Sequence, residues 1–192
     1  KGVVGWTDLR APNITERFAA YTQNKKLKGF RHVLQVEAPE YMLHPDFMRG
    51  IGALETFGFT YDILVFPGHL EEVLELVKKF PGQPFVLDHM AKPNIREAEI
   101  DEWKKNIMSI AQCENVYCKI SGMVTEADWQ QWKSVDFIPY MDSITESFGT
   151  DRIMYGSDWP VCLVAASYNE VIGIVEKYFS SFSENEQKAF FG

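Results

Sequence analysis

Short apolar runs alternate along this chain with longer segments in which apolar residues recur every three or four positions. The runs at 2–9, 29–35, 61–66, 84–89, 116–121 and 153–157 have the length and boundaries of buried strands, and the segments between them have helical period. Leu70, Val73, Leu74 and Val77 form one stripe, and Ile100, Trp103, Ile107 and Ile110 a second. Ile138, Met141, Ile144 and Phe148 form a third, and Val171, Ile174, Val175 and Tyr178 a fourth. Each stripe suits a helix lying against a sheet face. Start signals support the same reading. Asn13 with Glu16, Thr125 with Asp128 and Ser183 with Glu186 have capping-box spacing, and Pro45 suits the first turn of a helix following His44.

About six strand and helix alternations predict consecutive βα units around a parallel sheet. A closed (β/α)8 barrel has eight such units, typically over about 250 residues. The expectation is therefore an α/β, TIM-like (β/α)8 barrel with about six of its eight units present, or else an open sheet. A doubly wound open sheet usually carries a glycine-rich phosphate turn after an early strand. No G-x-G-x-x-G or P-loop pattern occurs here, so no nucleotide cofactor is expected. The chain begins Lys1-Gly-Val-Val-Gly-Trp6 without a starting Met and stops at Phe190-Phe-Gly192. We read 1–192 as a single barrel domain, or most of one, and as a piece of a longer protein.

Composition narrows the function classes. At 46% hydrophobic residues the chain can bury a substantial core. The net charge of −8 has no compensating basic cluster, so electrostatics oppose binding to nucleic acid or to an anionic membrane face, and a small-molecule partner is expected. No apolar run has the length of a membrane span, and Cys113, Cys118 and Cys162 lack paired spacing. We expect a soluble, cytoplasmic protein with reduced thiols. Nothing in the sequence sets an oligomeric state.

Candidate chemistry lies where the strands end. Phe85-Val-Leu-Asp88-His89 and Ile153-Met-Tyr-Gly-Ser-Asp158-Trp159-Pro160 run from apolar residues straight into ionisable ones, and barrel active sites lie at strand C-termini. Asp158 and His89 are the leading candidates. Asp88 alternates to the opposite strand face from His89, so at most one of the pair should point inward without a local bulge. Arg31 and His32 form a second basic pair, Arg31 suited to clamping a carboxylate or hydroxyls and His32 to donating to a carbonyl, with one of them facing outward. Asp62, Lys119 and Lys92 are weaker candidates, because charges inside barrel layers often pair with one another. His44 and His69 are expected at the surface or as caps. Without H-E-x-x-H, G-x-S-x-G or C-x-x-C, serine or zincin proteolysis is not expected.

Gly2-Val-Val-Gly-Trp-Thr-Asp-Leu9, Gly29-Phe-Arg-His-Val-Leu-Gln35, Phe85-Val-Leu-Asp-His89, Lys119-Ile-Ser-Gly122, Thr125-Glu-Ala-Asp-Trp129 and Tyr155-Gly-Ser-Asp-Trp-Pro160 together resemble the amidohydrolase-2 family. More narrowly they resemble its sugar-lactonase branch, the L-fuconolactone and L-rhamnonolactone hydrolases. The resemblance implies a distorted (β/α)8 barrel that hydrolyses a sugar lactone, with Asp158 activating water and His89 contacting the substrate carbonyl or a metal. It implies substrate contacts from Arg31 and His32, whose separate roles it does not assign; Trp159 and Lys92 are further candidates for substrate binding. The family's opening H-x-H strand is absent, so by the resemblance about the first two N-terminal βα units are expected to lie outside this sequence, and it stays open whether one divalent metal, zinc or similar, is held with His89 and Asp158 or the chemistry runs without metal. Metal-dependent decarboxylation, as in other barrels of the family, and sugar-acid binding without turnover are the alternatives.

Overall fold

The computed structural model describes residues 2–192. A strand forms within or across each of the six apolar runs: β1 Val3–Gly5, β2 Leu27–His32, β3 Thr60–Ile63, β4 Phe85–Leu87, β5 Val116–Ile120 and β6 Ile153–Tyr155. All neighbouring strands are parallel, in the order β1-β2-β3-β4-β5-β6. This order decides between the two architectures. A doubly wound sheet reverses its strand order part-way and covers both faces with helices, whereas here each strand adds beside the last in the same direction. The sheet curls as six strands of a (β/α)8 barrel.

Among the described residues seven α-helices accompany it: α1 Ile14–Tyr21, α2 Pro45–Phe57, α3 Leu70–Lys79, α4 Asp101–Ala111, α5 Ser134–Phe148, α6 Tyr168–Phe179 and α7 Glu184–Phe191. They pack on the face presented by Phe30, Tyr61, Ile63, Phe85, Leu87, Val116, Cys118, Ile120 and Ile153, all buried. The alternate positions, Val4, Arg31, Asp62, Val86, Tyr117, Lys119 and Met154, line the inner face. A closed barrel fills that face with layered side chains. Here it lies open, with Val4 41% and Tyr117 37% exposed.

The stripes are met with three substitutions, the first being Leu76, buried on α3 where the pattern expects Leu74. Phe137 rather than Ile138 faces the core from α5, and Phe179 takes the place given to Tyr178 in α6. Ser183 and Glu186 form the expected reciprocal box, and Ser167 with Glu170 forms another that the pattern analysis passed over. Asn13 does not cap α1. Its backbone is outside the extended region that aims a capping side chain, and its Oδ1 accepts from Arg17 Nε instead. Thr125 and Asp128 likewise close local turns, and α5 starts only at Ser134. His44 does cap α2, accepting from Asp46 N, whereas His69 is buried between the carbonyls of Phe66 and Glu37 rather than capping or exposed.

The register at the N-terminal ends of the strands is held by polar clamps. Arg152 donates to the carbonyls of Ala111, Cys113 and Val116 at 2.9, 3.1 and 3.1 Å, tying the end of α4 to the strand that follows it. Asn115 does the same for α3, reaching the carbonyls of Val77, Phe80 and Gln83. Removing the guanidinium by Arg152→Ala should lower unfolding stability by roughly 2 kcal/mol, the scale of a charge-assisted hydrogen bond with its acceptors stranded. A shift of the urea midpoint at unchanged slope would show it, and an unchanged midpoint would mean that the clamp is ornamental.

Candidate active site

Beyond Leu87 the backbone changes hand. His89, Met90, Ala91 and Lys92 have φ of 53, 54, 56 and 51°, one turn of left-handed helix made without glycine. That conformation costs an L-residue about 1–2 kcal/mol, so the surroundings must impose it. Met90 and Ala91 are fully buried, Trp103 Nε1 donates to the Met90 carbonyl at 2.8 Å, and Lys92 N donates to the His89 carbonyl at 2.8 Å. The turn overrides strand alternation. Asp88 and His89 both face the inner side, where alternation without a local irregularity would have allowed only one of them.

His89 stands between the ends of β5 and β6. Its Nδ1 is 2.7 Å from Ser121 Oγ, and its Nε2 is 3.6 Å from Asp158 Oδ1. The second distance is too long for a hydrogen bond but leaves both groups facing one small space. Asp158 has φ of 55°, a further left-handed residue that turns the chain sharply after β6. Gly122, at φ 66°, lies flat against the imidazole, and a Cβ there would come within 3.0 Å of the ring. Burial pushes the His89 imidazole below its ordinary range, against the upward pull of Asp88 and Asp158. At neutral pH this direction favours the uncharged ring, which offers a single N–H.

Beneath this pair, four strands contribute charges to one cluster. Lys119 Nζ bonds Asp88 Oδ1, and it reaches Asp62 Oδ2 at 3.2 Å. Arg31 Nη1 donates to Asp88 Oδ2 at 2.8 Å. Burial alone would raise the Asp88 carboxyl, yet Lys119, with His89 and Arg31, holds it below the usual carboxylate range. Burial raises Asp62 despite the same lysine. Lys119 is itself raised: burial works against its charge, and the two carboxylates outweigh it.

The remaining candidates occupy other places. The Arg31 side chain is nearly half exposed beside Asp88, which leaves donors free to point outward. His32 accepts from Trp6 Nε1 at 3.2 Å, meets Glu37 at 3.0 Å through Nε2, and stacks on Tyr41. It therefore braces the indole of Trp6, itself 64% exposed. Lys92 Nζ pairs with Glu126 at 2.6 Å and lies over the Phe66 ring, at the edge of a cleft of about 730 Å³ whose lining includes neither His89 nor Asp158. Trp159 is exposed on the turn after Asp158. Reading residue types along the strands passed over Ser121, Glu37 and Trp6. A small polar residue directly after an apolar strand, in the position that Asp88 holds after β4, was the available signal for Ser121.

Among the described residues no group of three or more His, Cys, Asp or Glu converges as a metal site. His89 and Asp158 alone make an incomplete donor set, since a zinc site needs three protein ligands even when catalytic. No helix among the described residues is long and apolar enough to cross a membrane.

The amidohydrolase family profile matches residues 1–192. The chain belongs to the amidohydrolase family. It is 40% identical to an L-fucono-1,5-lactonase of Burkholderia multivorans, over 99% of this chain and 68% of that enzyme. It is 32% identical to an L-fucono-1,5-lactonase of Burkholderia ambifaria, over 88% of this chain and 58% of that one. A crystal structure of a Burkholderia multivorans amidohydrolase with bound zinc superposes with a TM-score of 0.92 at 41% identity, covering all of this chain and 70% of that one. This amidohydrolase chain thus falls in the branch that holds these hydrolytic enzymes, and it spans between about half and two thirds of the lengths of the lactonases it matches.

Replacing Lys119 by Met should be strongly destabilising, by roughly 3 kcal/mol, because it leaves the inward carboxylate of Asp62 without a cation and Asp88 with Arg31 alone. The sign of its pH dependence follows. Without Lys119, Asp62, which burial already raises, should titrate still further above its unfolded value, so the folded variant takes up a proton first and its deficit relative to wild type should shrink as pH falls below neutral. Denaturant melts of both proteins between pH 7 and pH 5 measure this, and a deficit that widened on acidification would contradict the assignment.

Proposed function

We propose that the complete protein opens a sugar-acid lactone by water attack on the ester carbonyl, with Asp158 as general base. The convergence of Asp158 and the neutral imidazole of His89 on one small space at the mouth of the sheet carries this reading. Ester hydrolysis needs a way to remove a proton from water and a donor for the oxygen that becomes negative. Asp158 takes the proton as water adds to the carbonyl carbon. His89 Nε2–H and the free donors of Arg31 face the developing oxyanion. The tetrahedral adduct then expels the ring oxygen, which recovers the proton from Asp158, and the product is a hydroxy acid whose new carboxylate suits Arg31. His32 acts at one remove, by holding the exposed indole of Trp6, and Trp159, which follows Asp158, and Lys92, at the edge of the neighbouring cleft, are further candidates for substrate contact.

Five- and six-carbon aldonolactones are the expected substrates, a reading supported by the names of the two Burkholderia relatives. In the complete protein Asp158→Asn should lower kcat by a hundredfold or more, the usual contribution of a positioned base. His89→Ala should lower kcat rather than raise KM alone, since its donor acts on the transition state. Steady-state kinetics on a panel of lactones, amides, phosphate esters and aromatic carboxylates checks the class. Activity of Asp158→Asn within threefold of wild type, or release of carbon dioxide in preference to lactone opening, would refute it.

A further inference from the structure

We propose that Ser121 is a positioning residue that donates its hydroxyl hydrogen to Nδ1 of His89 and so fixes the ring as the tautomer with hydrogen on Nε2, facing Asp158. Ser121 Oγ is 2.7 Å from Nδ1, and Ser121 is only 2% exposed. A hydroxyl and an imidazole nitrogen can share such a contact in two ways. If Nδ1 carried the hydrogen, the hydroxyl would accept it and its own hydrogen would need another acceptor. Among the described residues Ser121 Oγ bonds no other group, and burial keeps water from replacing one. The arrangement that leaves no buried donor stranded is Oγ–H to Nδ1. Nε2 then bears the hydrogen, and it is the nitrogen turned towards Asp158 at 3.6 Å.

The backbone around this contact is shaped to hold it. Ser121 follows the last residue of β5 directly, so a strand rather than a loop sets its position. Gly122 lets the imidazole lie against the chain at a place where a Cβ would approach the ring to 3.0 Å. Gly156 of the neighbouring segment leaves room on the other side, since a Cβ there would meet the Ser121 Cβ at 2.9 Å. Ser121 is thereby wedged between His89 and the end of β6, with its hydroxyl turned to the ring.

The consequence for chemistry rests on the lactonase reading. An imidazole with hydrogen on Nε2 is an electrophile: it donates to a carbonyl oxygen and does not compete with Asp158 for the proton of water. Two-bond proton–nitrogen correlation spectra of the protein labelled with nitrogen-15 histidine identify the protonated ring nitrogen, with the His89 signals assigned by their loss in His89→Gln. Wild type should show a single His89 tautomer, protonated at Nε2. Ser121→Ala should lose that preference and lower kcat by about tenfold, the effect of removing an outer partner of a working histidine, with KM within about twofold. Ser121→Cys keeps the shape with a weaker donor and should fall between. Hydrogen on Nδ1 in wild type, or the same tautomer in Ser121→Ala as in wild type, overturns the proposal, and the wild-type spectrum decides it even if the alanine variant does not fold. If the tautomer is as expected while no lactone is turned over, the positioning role stands and the lactonase reading falls.

Discussion

The inner face of this sheet depends on one cation. Lys119 extends from β5 to the carboxylates of Asp62 on β3 and Asp88 after β4, and Asp88 in turn holds Arg31 of β2. Four neighbouring strands are thus cross-linked by charge on the side that the helices do not cover. Taking charges out of water is costly, and pairing offsets that cost only when the geometry is good. The cluster therefore does less for net stability than for uniqueness: any slip of register would part the lysine from a carboxylate. It also fixes Asp88, and with it the point at which the chain must turn to present His89.

The two faces of the sheet divide the work. Outward positions are apolar and locked into the helices, which gives rigid strands with defined ends. The charged inward positions Arg31, Asp62 and Lys119 and the ionisable strand ends acquire their geometry from that rigidity. Arg152 and Asn115 hold the opposite rim, so the strand ends that bear His89, Ser121 and Asp158 inherit a fixed spacing. Groups that must cooperate over a few ångströms need such support.

The architecture was legible because its signals are periodic. Six apolar runs and four helical stripes predicted six units, and sequential pairing followed once helices were seen to cover one face. Strand lengths were overestimated at 2–9 and 84–89, where residues that continue the apolar run leave the ladder to form the mouth. Asp158 and His89 stood out as ionisable groups directly after apolar strands. What the pattern hid was the hand of the backbone. Nothing in His89-Met-Ala-Lys92 announces left-handed φ, since none is glycine and none is Asn, so alternation alone puts Asp88 and His89 on opposite faces. Ser121 was hidden for another reason: its meaning lies in a partner 32 residues away, which local spacing cannot supply.

That turn has no local reason to exist. Each of its residues would relax to a right-handed or extended conformation if left to itself, so its shape is borrowed from the pocket that encloses Met90 and Ala91 and from the indole of Trp103 on α4. Undocking of α4 would withdraw the indole, release the backbone and carry His89 away from Ser121 and Asp158. The imidazole's station and the docking of a helix on the far side of the sheet thus form one cooperative unit, and an opening too small to unfold the protein would dismantle the site.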